Sequence, residues 1–205
     1  MVSAGQGIDL YRRCAGYIRR VSESEAELLE SVLAETEATI RAVGPDQGHR
    51  PTPCADLDVA RLTDHLVGWA ASFASRLTDG PDIGDPNEYR VGPNPAAEFG
   101  QAAQRIVESY RQMTEQAQNL PVGFLVMEFL THGWDLATAI GRPASYRDEA
   151  AELALTTGRL MLKPEYRGPG KAFGPEVPVP DSAGAVDRLV AFLGRNPAWQ
   201  TTHAQ

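Results

Sequence analysis

Apolar side chains recur at three- and four-residue steps over most of this chain, and that period constrains its fold more than any other feature of the sequence. Leu28, Leu29, Val32, Leu33, Ile40 and Val43 fall on one face of a helix over about 24–43. Leu62, His65, Leu66, Trp69 and Phe73 share a stripe in a second, which Asp58 can cap by accepting from a free first-turn amide and which ends before Asp79-Gly80. A third begins after Pro95 and turns Phe99, Ala103, Ile106, Tyr110, Met113 and Leu120 inward, with Glu98, Gln101, Arg105 and Glu108 outward. Pro121 interrupts it. A fourth runs from about 122 to 140, where Gly141-Arg142-Pro143 supplies a stop. Shorter helices are expected at about 148–162 and 183–193.

Proline and glycine gather at 44–53, 80–95 and 164–184, which are the natural loops. The only strand signal, 176–180, carries two prolines and is restricted to a sheet edge or an extended loop. At the start, Ile8, Tyr11, Cys14, Ile18 and Val21 also keep helical steps, so 1–22 reads as an extension with a short helix, ahead of one domain over 23–205. The fold class expected is all-α: a four-helix bundle with additional short helices and an irregular C-terminal segment.

A chain of 205 residues can bury a core without disulfides. Its two cysteines, Cys14 and Cys54, have neither a CxxC nor a zinc-finger spacing. The formal charge of -8, from 27 acidic and 19 basic residues, argues against a phosphate-tracking surface and hence against nucleic acid as a partner. There is no uninterrupted apolar stretch of signal-peptide or membrane-spanning kind, so no membrane association is expected and the cytoplasm is the expected location. Phosphate loops, dinucleotide fingerprints and G-x-S-x-G turns are missing as well.

Chemistry concentrates on the fourth helix. Glu128 and His132 are four residues apart, so they share a face, and Leu125 and Leu136 place that face toward the core. An unpaired carboxylate there costs several kcal/mol or loses its charge, so Glu128 needs a positive partner. His65 lies in the apolar stripe of the second helix and can meet the pair across the bundle. Two imidazoles and a carboxylate suit zinc, iron(II) or nickel and leave positions open for water or substrate. Taken singly, each of the three reads as a hydrogen-bonded core group; spacing alone leaves core pairing and metal binding both open.

Secondary candidates have two readings each. Asp135 can orient the His132 ring, cap a backbone group or face solvent. Cys54 precedes a helix, where a thiol gains reactivity, but reads first as a small buried residue. Arg76 and Arg90 are candidates to meet a carboxylate of a substrate or thiol cofactor, against a reading as solvated surface. Trp69 and Trp134 are expected in the core.

The stretches TPCADLDVARLTDHLVGW (52–69), FLTHGWDLATAIGRP (129–143) and FGPEVPVPDSAGAVDRLVAFLGRNPAW (173–199) are similar, in order and wording, to the actinobacterial DinB-like proteins related to mycothiol-dependent maleylpyruvate isomerase. The resemblance implies a bundle of four main helices holding a divalent metal, zinc first, with nickel or iron as alternatives, at the positions of His65, Glu128 and His132. Trp199 closes the last of these motifs, and Leu57 stands where many relatives carry a tryptophan in the pocket wall. The implied activity is use of the metal to activate a low-molecular-weight thiol such as mycothiol for isomerisation or S-transfer to a small-molecule substrate. Thiol-free metal catalysis of hydrolase, lyase or cyclase type, a non-catalytic small-molecule-binding protein and a homodimeric assembly stay open at this level.

Overall fold

The computed structural model describes residues 22–168 and 173–200. Among them seven α-helices follow in order: α1 (Glu23–Arg41), α2 (Val59–Leu77), α3 (Pro95–Arg111), α4 (Glu115–Asn119), α5 (Val122–Ile140), α6 (Asp148–Met161) and α7 (Ala185–Phe192). The helix expected within 1–22 lies outside the described residues. No strand occurs among those described; the 176–180 segment is extended loop, tied to α7 by Val177 N–H donating to the Ala191 carbonyl at 2.9 Å.

Local chemistry sets most helix boundaries. Ser22 caps α1 reciprocally: its Oγ accepts from Glu25 N–H, and the Glu25 carboxylate accepts from Ser22 N–H at 2.9 Å. Asp58 Oδ1 accepts from Arg61 N–H at 2.8 Å and starts α2, as the sequence suggests. Gly141, at φ 72°, terminates α5 in the left-handed region that a side chain disfavours.

The expected third segment is not continuous to Leu120. Met113 adopts φ 52°, ends α3 and redirects the chain into the short α4. The break is anchored from within, because the buried Tyr110 hydroxyl donates to the Leu120 carbonyl at 2.9 Å. Leu120 is buried as expected, but through a turn and not through helical periodicity.

Helices α1, α3, α2 and α5 pack in that cyclic order around one core, with α2 and α5 meeting least extensively; α6 lies on α5, and α7 covers α6. Phe129 is central, its ring edge-on to Phe73 (6.0 Å) and to Phe99 (5.6 Å), which ties α5 to α2 and α3. His65 meets Glu128 while Phe73 meets Phe124, so α2 and α5 run in opposite directions.

On its α1 side, α5 approaches closely at Gly133. A Cβ there would collide with the Tyr146 hydroxyl and the Thr36 side chain, which are themselves joined at 3.2 Å. Gly133→Ala should therefore overpack this contact and lower stability by about 1–3 kcal/mol. The measurement is the urea midpoint at unchanged slope; an unmoved midpoint would show that the α1–α5 contact yields.

Candidate metal centre

Helix α5 is the most apolar helix of the bundle and is buried on nearly every face, so its polar side chains must find partners inside the protein. Glu128 finds two. Its Oε1 lies 3.0 Å from His65 Nε2 on α2 and 3.7 Å from His132 Nε2 one turn along α5. The imidazole centroids are 4.6 Å apart at 68°. One donor atom from each residue falls within 4.8 Å of the other two. The side chains keep 16%, 20% and 13% exposure for His65, Glu128 and His132, so solvent reaches the group without flooding it.

The three groups titrate against one another. Burial works to raise the Glu128 pKa, but the His132 charge and the His65 hydrogen bond prevail and hold the carboxyl down at about 2. Burial works to lower that of His132, but the Glu128 charge and the Asp135 hydrogen bond prevail and lift it to about 10. Burial wins at His65, whose pKa is lowered despite the hydrogen bond to Glu128. Without a cation, then, the site is a carboxylate–imidazolium pair with a neutral imidazole beside it.

Behind His132 stands a second layer. His132 Nδ1 lies 3.2 Å from Oδ2 of Asp135, which is wholly buried. Of the two sequence readings for Asp135, ring orientation is the one the geometry supports. Asp135 in turn is held by Arg195, whose NH2 donates to Oδ2 at 3.1 Å and whose Nε reaches both oxygens at 3.3–3.4 Å. A further guanidinium nitrogen donates to the Leu193 carbonyl at 3.0 Å. Burial opposes the Asp135 charge, but Arg195 and His132 overcome it and lower the Asp135 pKa. Sequence reasoning missed Arg195 entirely. The available signal was an arginine as the one charged residue of the FLGRNPAW stretch, whose acidic partner lies 60 residues earlier.

Cys54 stands closer to this chemistry than a small core residue would. It is half-buried, and its sulfur forms a second cluster with His132 and Asp135, with donor atoms within 4.8 Å. Trp69 is half-buried, with its ring 6.1 Å from His65 and Nε1 donating to Asn87 at 3.4 Å, whereas Trp134 is buried. The two arginine candidates stand apart from the hydrogen bonds of the trio. Arg90 is exposed and pairs with Asp64 at 3.7 Å. Arg76 is half-buried near the end of α2, about 16 Å along the axis from His65 at 1.5 Å per residue.

No helix among the described residues is long and apolar enough to cross a membrane. No solved structure matches the chain. Two relatives from Mycobacterium tuberculosis do: Uncharacterized protein MT0763 (strain CDC 1551 / Oshkosh) and Uncharacterized protein Rv0738 (strain ATCC 25618 / H37Rv). Each is 32% identical over 174 residues, covering 81% of this chain and 93% of the relative. A family model described as the mycothiol maleylpyruvate isomerase N-terminal domain matches residues 29–137, a span that holds His65, Glu128, His132 and Asp135 but stops short of Arg195. With more than half its length matched by that model and a helical bundle to carry the match, the chain belongs to the mycothiol maleylpyruvate isomerase N-terminal domain family, within the DinB-like superfamily.

Proposed function

We propose that this protein is a metal-dependent enzyme that holds one divalent cation through His65, Glu128 and His132 and activates a low-molecular-weight thiol, mycothiol, for S-transfer or isomerisation of a small electrophilic substrate. The observation that carries the reading is the convergence of two imidazole nitrogens and a carboxylate oxygen from α2 and α5 within 4.8 Å. The donor set fits an ion. Bonds of about 2.0–2.1 Å in a tetrahedral arrangement separate ligand atoms by about 3.4 Å, and the 3.0 and 3.7 Å contacts of Glu128 bracket that spacing. Zinc is the first choice, with nickel and iron(II) accepted by the same donors.

A cation held there would stabilise a coordinated thiol as the thiolate, which is the reactive nucleophile. The protein's own residues divide the remaining work. Glu128 serves as a ligand, because a carboxylate engaged by a cation is poorly available as a general base. Asp135 accepts from His132 Nδ1–H and so turns Nε2 toward Glu128 and His65. Arg195 fixes Asp135 and supplies the charge that lets a carboxylate stay ionised at zero exposure. The thiol part of the reading draws its support from the family description, the metal part from the donor geometry.

Three outcomes are expected. First, protein purified without chelator should carry about one equivalent of zinc, nickel or iron by elemental analysis, and His132→Ala should carry none. Binding must displace the proton that Glu128 keeps on His132, so apparent affinity should tighten as pH rises, by up to about tenfold per unit, and level off near the His132 pKa of about 10. A wild type that stays empty after reconstitution would reduce the trio to a paired core group, and a flat pH profile would contradict the protonated His132.

Second, Asp135→Asn should weaken metal binding by about 10–100-fold, and Arg195→Met should cost up to about 3–5 kcal/mol of stability by stripping the buried carboxylate of its main counter-charge. Chelator competition and denaturant unfolding read the two effects separately; wild-type values in both variants would remove the second layer from the account.

Third, mycothiol added to the cobalt-substituted protein should produce a sulfur-to-metal charge-transfer band, and Glu128→Gln should diminish it. Absence of both the band and thiol-dependent turnover would transfer the site to thiol-free, water-based chemistry.

A further inference from the structure

Arg167 has no role in the reading above, yet it is a largely buried cation, its side chain 13% exposed, on the segment between α6 and α7. Its donors go mainly to backbone. One guanidinium nitrogen donates to the Phe192 carbonyl at 2.6 Å and reaches the Gly174 carbonyl at 3.3 Å, and the guanidinium carbon stands 4.4 Å over the Phe192 ring. The carboxylate it meets, Glu176 at 3.4 Å, is itself exposed.

These contacts hold the end of α7. Every carbonyl of its last turn is claimed: Val190 by Arg195 N–H at 2.8 Å, Ala191 by Gly194 N–H at 3.0 Å and Val177 N–H at 2.9 Å, Phe192 by Arg167, and Leu193 by the Arg195 guanidinium at 3.0 Å. Gly194, at φ 87°, makes the left-handed turn of a Schellman cap, and Arg195 is the residue that closes it. Gly174 lies so close that a Cβ on Gly194 would come within 2.8 Å of the Gly174 Cα. The Phe192 ring in turn packs on α6, where a Cβ on Gly158 would lie 2.9 Å from it. A clasp with Arg167 at its centre therefore fixes the direction in which Arg195 leaves α7. That direction matters, because a buried ion pair stabilises only when its geometry is good. Arg195 meets Asp135 at 3.1–3.4 Å, and Asp135 meets His132 Nδ1 at 3.2 Å, contacts long enough for a small displacement of the cap to break them.

We propose that Arg167 is a positioning residue for the metal centre: by clamping the α7 cap it holds Arg195 on Asp135, and through Asp135 it sets the ring of His132. Its effect on metal affinity rests on the metal reading given above; its effect on Arg195 does not.

The test compares Arg167→Met and Arg167→Lys in the full chain, each alone and combined with Asp135→Asn, with folding checked by urea unfolding. In metal-free protein, the nitrogen–proton signal of Arg195 Nε, assigned by triple-resonance correlation, should exchange slowly with solvent, about tenfold faster in Arg167→Met and about threefold faster in Arg167→Lys. In cobalt-substituted protein, chelator competition should show affinity about tenfold weaker in Arg167→Met and about threefold weaker in Arg167→Lys, which keeps the charge but not the planar fork. In the Asp135→Asn background the same replacements should change affinity by less than about twofold, because the link through which they act is gone. A merely structural Arg167 would give equal losses in both backgrounds. Equal losses, unchanged affinity or unchanged Arg195 exchange would each overturn the proposal, and should Arg167→Met fail to fold, Arg167→Lys carries the same comparisons. A wild type that binds no cobalt refutes the metal reading alone, and the exchange of Arg195 then decides whether Arg167 positions it.

Discussion

Two carboxylates on the most apolar helix of the bundle set the terms for everything around them. Glu128 and Asp135 lie on α5 where water contributes little, and an ionised carboxylate there is sustained only by nearby positive charge and well-placed donors. The protein brings those groups from three places in the chain. His65 comes from α2, His132 from α5 itself, and Arg195 from the segment just beyond α7. The arrangement alternates acid and base across the core, from His65 through Glu128, His132 and Asp135 to Arg195. Each acidic group is flanked by two basic ones.

Much of this was legible in the sequence, for reasons that also explain what was not. Helical spacing locates α1, α2, α5, α6 and α7 to within about two residues, because one buried face per helix leaves a periodic trace. The four-residue step of Glu128 and His132 announces a shared face, and the apolar stripe through His65 shows that it points inward. Periodicity is silent about backbone reversals, so Met113, an ordinary apolar residue at φ 52°, carried no sign that it would end α3. Distance along the chain hides partners too. Arg195 serves Asp135 across 60 residues, and nothing local to either distinguishes that pair from a solvated arginine and a capping aspartate. The neighbours of Cys54 are hidden for a related reason: a turn ahead of a helix shows where its backbone goes but not which helix its side chain will meet.

The location of the trio within the bundle matters as much as its composition. The α2–α5 side is where the four main helices meet least extensively, and His65 and Glu128 face each other across it. Apolar packing through the core, with Phe129 of α5 joined to Phe73 of α2 and Phe99 of α3, keeps the donors near one another before any ligand is present. A site on the least extensively packed side of the ring combines preorganised donors with access, two requirements that compete in a uniformly packed core.

Arg195 lies beyond the 29–137 stretch that the family model matches, yet it neutralises a carboxylate inside that stretch. The family segment is therefore not electrostatically self-sufficient in this protein. Asp135 works as a socket that the following chain must fill, and any lineage that exchanged this tail for another would have to bring a replacement cation to the same spot. That requirement limits which C-terminal modules can be recombined with the bundle, and it does so through one buried charge, independently of the substrate.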